Sequence, residues 1–148
     1  MDFHGLDLNQ LVQSVAALVE HQLRAHRIRL SLNLAPDLPE IAGSSPELQQ
    51  VILNLILNAV EAMPDGGDVT IASSANERRV ELLVEDHGHG IEPDRLSEVF
   101  EPFASSRVSG TGLGLYLTKN VVQMHQGTIS AESLNSNGTR FTVRLPLA

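Results

Sequence analysis

Residues 51 to 63 read VILNLILNAVEAM, an apolar run broken by two asparagines four residues apart. Ser44 or Ser45 followed by Pro46 and Glu47 makes a strong helix start, and PDGG at 64 to 67 stops it, so residues 47 to 63 are predicted helical. At about 100° per residue, Glu47, Gln50, Asn54, Asn58 and Glu61 fall within about 80° of one another. Leu48, Val51, Ile52, Leu53, Leu55, Ile56, Leu57, Val60 and Met63 fill the rest of the circumference. Such a helix must be covered on most sides, and that requirement constrains the fold more than any other stretch. An ordinary surface helix shows a wider, more charged solvent face, whereas this narrow stripe is rich in uncharged amides. The amides are either bonded within the core, part of an exposed edge, or the wall of a pocket. As pocket groups they are hard, neutral oxygen ligands suited to magnesium, which binds through few protein oxygens together with substrate phosphates.

The remaining elements have to supply that cover. Asp7 with Gln10 has the form of a capping pair, and Leu8, Leu11, Val12, Val15, Leu18, Val19 and Leu23 recur at helical spacing until about His26. Residues 28 to 34 alternate apolar and polar like a half-buried strand, and a Pro-rich loop follows over 35 to 44. Segments 68 to 75 and 78 to 85 flank Asn76-Glu77 and read as an antiparallel hairpin whose turn lacks the usual glycine. A Gly-broken loop, DHGHGIEP, and a short amphipathic turn over 94 to 100 lead into EPFASSRVSGTG, a polar, small-residue stretch expected to be mobile. Leu115, Val121, Val122 and Met124 predict a third helix over 113 to 125. Strands at 128 to 133 and 139 to 145 are joined by the turn LNSNG. The expected class is α+β: a mixed, largely antiparallel sheet of about five strands with three main helices on one face, a two-layer α/β sandwich. At 148 residues this is one domain spanning 1 to 148.

Aromatics are only 3% of the chain, so the core must be built from Leu, Ile and Val. A net charge of -8 disfavours nonspecific attraction to nucleic acid or to an anionic membrane surface. The absence of cysteine excludes disulfides and thiolate zinc sites. No apolar run reaches the roughly 20 residues of a membrane span, and MDFHGLDLNQ lacks the basic start and apolar stretch of a signal peptide. The expectation is a cytoplasmic domain without nucleic-acid or direct membrane contact.

Two glycine-rich stretches carry chemistry. DHGHG at 86 to 90 puts a carboxylate at a strand end, able to accept a hydrogen bond from an amino group such as that of adenine, and its glycines let a flat ligand approach the backbone. His87 and His89 have no third ligand nearby in sequence and read as exposed loop histidines rather than a metal site. GTGLGL at 110 to 115 runs straight into a helix, where unpaired N–H groups and the positive dipole end form a ready anion site; the alternative for such a turn read by itself is a flexible connector. It is neither the dinucleotide fingerprint nor a P-loop, since no Gly-Lys-Ser or Gly-Lys-Thr follows.

Taken in order, ELQQVILNLILNAVEAM, VEDHGHGIEP, VFEPFASSR, GTGLGLYLTKNVVQMHQGTI and SNGTRFTVRLP resemble the N, G1, F and G2 boxes and closing Gly-Thr strand of the catalytic, ATP-binding domain of sensor histidine kinases. The resemblance covers about residues 7 to 146, and NAVEAM with the short lid is most like kinases of the nitrogen-regulation and related types. It implies the Bergerat ATP-binding fold, with ATP and Mg2+ as ligands. It makes Asn58 the magnesium ligand and sets Asn54 beside the phosphates. In ATP-hydrolysing relatives a glutamate activates water at the position of Asn54, so the amide favours a kinase over an ATPase. By the same resemblance Asp86 binds the adenine amino group, Gly88, Gly90 and Ile91 shape the pocket, and Thr139 supports it through water. Gly110, Thr111, Gly112, Leu113, Gly114 and Leu115 hold the phosphates, Phe100 and Phe103 anchor the lid, and Arg107 stands where the family commonly has a lysine that reaches the terminal phosphate.

Two departures stand out. Glu61 occupies a position where many members have a basic residue on phosphate, and the phosphoacceptor motif, a His followed by Asp or Glu with a Pro beyond, is absent; His4, His21 and His26 lack that context. The resemblance therefore implies a catalytic domain, monomeric alone, whose partners are a histidine-bearing dimerisation domain and a response regulator. The rival readings are a Ser/Thr kinase of the anti-sigma-factor type, a nucleotide-sensing module without transfer, and, least favoured, a chaperone- or repair-type ATPase.

Overall fold

The computed structural model describes residues 2–102, 113–134 and 137–148. In chain order they form β1 (His4–Leu6), α1 (Leu8–Ala25), β2 (Ile28–Asn33), β3 (Ile41–Gly43), α2 (Ser45–Ala62), β4 (Gly67–Ala75), β5 (Arg79–Asp86), a 3-10 turn (Pro93–Arg95), α3 (Gly114–Met124), β6 (Thr128–Ser133) and β7 (Thr139–Pro146). Five strands build the main sheet in the order β2-β4-β5-β7-β6, and β1 pairs with β3 in a small second sheet. Only β2 and β4 run parallel among the paired strands, the others being antiparallel. A parallel pair needs a long crossover, and α2 lies within the one that joins β2 to β4.

The sheet has one dry face and one wet one. Val69↔Asp86, Ile71↔Val84 and Ser73↔Leu82 pair across β4 and β5, and Leu82↔Val143, Val84↔Phe141 and Asp86↔Thr139 across β5 and β7, so these buried side chains stand in register on one face. α1, α2 and α3 pack beside β2, β5 and β6, making the two-layer α+β sandwich that the periodicities predict. On the opposite face Arg144 pairs with Glu81 at 2.9 Å, and Arg140 pairs with Glu85 and Glu132. Leu55 and Ile56 of α2 are wholly buried, while the adjacent Leu57 is 41% exposed and widens the polar stripe on its Gln50 side. Among the described residues no helix is long and apolar enough to cross a membrane.

The structure departs from the sequence expectations where an element is short or a side chain replaces a backbone signal. β1 has no counterpart among the sequence expectations, and β3 lies within the segment expected to be a Pro-rich loop; at three residues each, neither shows enough alternation to be read. The β4–β5 turn does without glycine because the Asn76 Oδ1 accepts the Arg78 and Arg79 N–H groups at 2.8 and 3.0 Å, the side chain standing in for a turn. In α3 the apolar spacing pointed to Val122 and Met124, yet Met124 is 54% exposed, whereas Thr118 and the capping His125 are buried. Leu18 of α1, placed by spacing with the core residues, is 75% exposed.

If α2 is oriented as described, Leu55→Ala removes a fully buried side chain and should cost about 2–5 kcal/mol of unfolding free energy, whereas Leu57→Ala should cost under about 1. Urea denaturation of the two variants checks this, and equal losses would mean that the helix is turned differently.

Candidate functional site

The polar stripe of α2 meets the start of α3. Asn54 Nδ2 donates to Thr118 Oγ1 at 3.2 Å and reaches the Gly114 carbonyl at 3.4 Å, while Asn54 Oδ1 accepts from Gln50 Nε2 at 2.9 Å. The buried Thr118 hydroxyl also donates to the Gly114 carbonyl at 2.8 Å, so the asparagine, the threonine and the first residue of α3 form one network. At the other end of α3, the Ser44 N–H before α2 donates to His125 Nε2 at 3.0 Å, so the two helices run antiparallel. Asn58, one turn beyond Asn54, is half-buried on the same stripe. Leu113, the residue before α3, caps the helix with no side-chain hydrogen bond, and among the described residues a Cβ on Gly114 would meet nothing within 4 Å. The first-turn N–H groups of a helix have no partner within the helix itself, and with the positive end of its dipole they can take an anion.

The second half of the site lies where β5 ends. Asp86 is 2% exposed and stands in register with Thr139, also 2% exposed, on the adjacent β7. The chain turns at once, with the Gly88 N–H on Asp86 Oδ1 at 2.9 Å. Gly88 is required by close approach, because a Cβ there would press into the Ala62 carbonyl at the end of α2. The His89 N–H, at 3.4 Å from that same carbonyl, ties the loop to the helix. Gly138, at φ +130, leaves no room for a Cβ against the Asp86 carbonyl, and Gly90 lies close to the Gly138 backbone. Ile91 is half-buried and packs on the core, and its carbonyl accepts from the Ser133 hydroxyl. The result is a buried carboxylate enclosed by closely packed backbone from the ends of α2, β5 and β7.

Of the residues singled out from sequence, Asn54, Leu113, Gly114 and Leu115 come together at the α2–α3 junction, and Asp86, Gly88, Gly90, Ile91 and Thr139 at the β5 end, with Ala62 of α2 touching the latter group. Phe100 packs edge-on against Phe141, centroids 6.1 Å apart at 71°, which fixes one end of the expected lid to the core. Phe103, Arg107, Gly110, Thr111 and Gly112 lie outside the described residues, as does most of the stretch expected to be mobile. Thr118, His125 and Gly138 were not foreseen as site residues. The signal for the first two was present: Thr118, Val122 and His125 recur at the spacing of a buried helix face, with polar groups at both ends.

Among the described residues no group of three or more His, Asp or Glu is arranged to hold a metal ion. A separate polar cavity of about 500 Å³ lies between β1 and the starts of α1 and α2. It shares no residue with the site above, and the carboxyl groups of Asp7 and Glu40 in its wall would repel a phosphate.

A family model described as histidine kinase-, DNA gyrase B-, and HSP90-like ATPase matches residues 43–148. Sporulation kinase A of Bacillus subtilis (strain 168) is 40% identical over 141 residues, 95% of this chain and 23% of that protein. Sensor histidine kinase ZraS of Escherichia coli O157:H7 is 38% identical over 143 residues, 97% of this chain and 31% of its own length. The chain thus spans about a fifth to a third of the length of the curated relatives it matches. Among solved structures, the nucleotide-free catalytic domain of histidine kinase ThkA superposes with a TM-score of 0.91 at 28% identity, covering 99% of this chain and 97% of that one. Full-length ShkA in complex with AMPPNP gives 0.89 at 28% identity, over all of this chain and 32% of ShkA. ThkA in complex with the response regulator protein TrrA gives 0.85 at 26% identity, over 99% of this chain and 42% of that one. With a match over most of its length and a fold shared with histidine kinase catalytic domains, the chain belongs to the histidine kinase-, DNA gyrase B- and HSP90-like ATPase family.

Proposed function

We propose that this domain binds Mg-ATP and donates the γ-phosphate to a histidine on a separate dimerisation domain of a two-component sensor kinase. The observation that carries this reading is the Asn54 bridge onto Gly114 and Thr118, which holds the start of α3 against the amide stripe, one turn from Asn58. Adenine enters the cradle at the end of β5, its amino group on the Asp86 carboxylate and Thr139 supporting through water. The triphosphate runs from there to the N–H groups at the start of α3, with Leu113, Gly114 and Leu115 at the helix end of that loop. Arg107 supplies the cation for the terminal phosphate.

The donor set fits magnesium. With no carboxylate cluster among the described residues, the ion would be held mainly by phosphate oxygens and by the Asn58 amide oxygen. When bound, it neutralises charge on the phosphates. The chain's own groups orient the triphosphate for in-line attack. The acceptor imidazole nitrogen bonds to the γ-phosphorus, the bond to the β–γ bridging oxygen breaks, and ADP leaves with that electron pair. Asn54 is an amide already engaged with α3, and an amide is no base, so water in the cleft is not activated and transfer is favoured over hydrolysis.

The AMPPNP complex of ShkA and the regulator complex of ThkA support, by similarity, a nucleotide ligand and a response regulator as a later partner of the parent kinase. The histidine-bearing partner domain, the cytoplasmic location and a monomeric state for residues 1 to 148 alone belong to the same proposal. NAVEAM supports the finer assignment to the nitrogen-regulation and related types, although the relatives named above carry sporulation and ZraS names.

Asn58→Ala should weaken magnesium-dependent ATP binding about tenfold or more while leaving metal-free binding nearly unchanged; calorimetric titration with and without magnesium checks this. Asp86→Asn keeps an oxygen for the Gly88 N–H but turns an NH2 toward the purine. It should cost about 10- to 100-fold in ATP affinity and erase the preference for ATP over GTP; a retained preference would remove Asp86 from the base site.

A further inference from the structure

His125 is a buried ionisable group, 3% exposed, that the nucleotide reading does not use. Its Nδ1 lies 2.7 Å from the Val121 carbonyl, an acceptor only, so the proton sits on Nδ1 and Nε2 is left as an acceptor. Nε2 takes the Ser44 N–H at 3.0 Å. Ser44 precedes α2 with Glu47 three positions on, the pair that in a capping box would return the glutamate to the Ser44 N–H. Here Glu47 accepts the Ser44 hydroxyl instead, a bond that holds its carboxyl below the usual carboxylate range. The local partner for the Ser44 amide is thus diverted, and a residue from another helix takes its place. Gly43 makes room for this: a Cβ there would stand 2.7 Å from Leu48 Cδ1 and 3.1 Å from His125 Cδ2. Phe3, next to β1, stacks on the imidazole with centroids 4.5 Å apart and planes at 22°.

α3 is therefore fastened to α2 at both ends, by Asn54 at Gly114 and by His125 at Ser44. The two fastenings lie roughly 16 Å apart along α3. A helix pinned at one end alone can tilt about that point, and tilt at the His125 end displaces the start of α3 relative to Asn58. We propose that His125 is a positioning residue for nucleotide binding: its clamp on the α2 start sets the stance of α3 over the amide stripe, with Phe3 as its cover. The inference rests on reading the α2–α3 junction as the phosphate end of the site, and adds a control point at the far end of α3. It also gives the first strand a route to the nucleotide through one ring stack and one hydrogen bond.

The test uses the whole chain with His125→Leu, His125→Gln and Phe3→Ala, titrated with AMPPNP and magnesium, together with amide hydrogen exchange at Ser44. Gln offers an amide oxygen near the position of Nε2, whereas Leu fills the space without an acceptor. His125→Leu is expected to lose Ser44 protection and bind about tenfold more weakly, and His125→Gln to stay within about twofold of wild type in both. Phe3→Ala, which removes a half-exposed ring and leaves the core intact, is expected to weaken binding about threefold and decides the matter if the leucine variant does not fold. Wild-type affinity in Phe3→Ala and His125→Leu, or equal loss in the Leu and Gln variants, overturns the clamp alone. A wild-type chain that binds no nucleotide overturns the site reading and takes the clamp with it.

Discussion

The burial of α2 is the constraint on which everything else in this fold depends. Seven of its residues, from Leu48 to Ala62, are buried, and each large one contributes about 1.5–3 kcal/mol by leaving water. A hydrogen bond such as that from Asn54 to Thr118 nets about 0.5–1.5 kcal/mol. Packing therefore sets where the helix lies, and the amides only refine what stands beside it. Because the apolar surface takes up most of the circumference, the amide stripe has one direction left to face, and α3 is what it faces.

The two halves of the site are joined by the same helix. Its middle carries Asn54 and Asn58, and its end presents the Ala62 carbonyl to Gly88 and His89. Any shift of α2 would move the proposed phosphate end and the proposed base end together, which suits a ligand long enough to touch both. The glycines at 88 and 138 serve the same economy of space: one lets the Asp86 loop close on α2, the other lets β7 approach the backbone of Asp86. Thr139 then stands opposite Asp86 because strand register puts it there.

Most of this was legible in sequence because long elements repeat their pattern often enough to be read. α1, α2, β4, β5 and β7 lie within a residue or two of where periodicity set them. What escaped was of two kinds. β1 and β3 are too short to display a period, and their pairing depends on Leu6 meeting Ile41, residues far apart in sequence. The other kind is polar atoms inside apolar patterns: Thr118 and His125 occupy core-facing positions of α3 because their polar groups are satisfied by Asn54, Gly114, Val121 and Ser44, partners that become visible only when the helices are docked. The proposed site rests on five short boxes in register. The structure adds that Asn54 spends its amide on α3, a detail that no linear motif contains.

The most direct test of this account is a crystal structure of the chain with AMPPNP and magnesium. The adenine amino group should lie within hydrogen-bond reach of Asp86, with the metal on Asn58 and the phosphates at the start of α3. A nucleotide seated elsewhere, for example in the polar cavity beside Glu40, would contradict it.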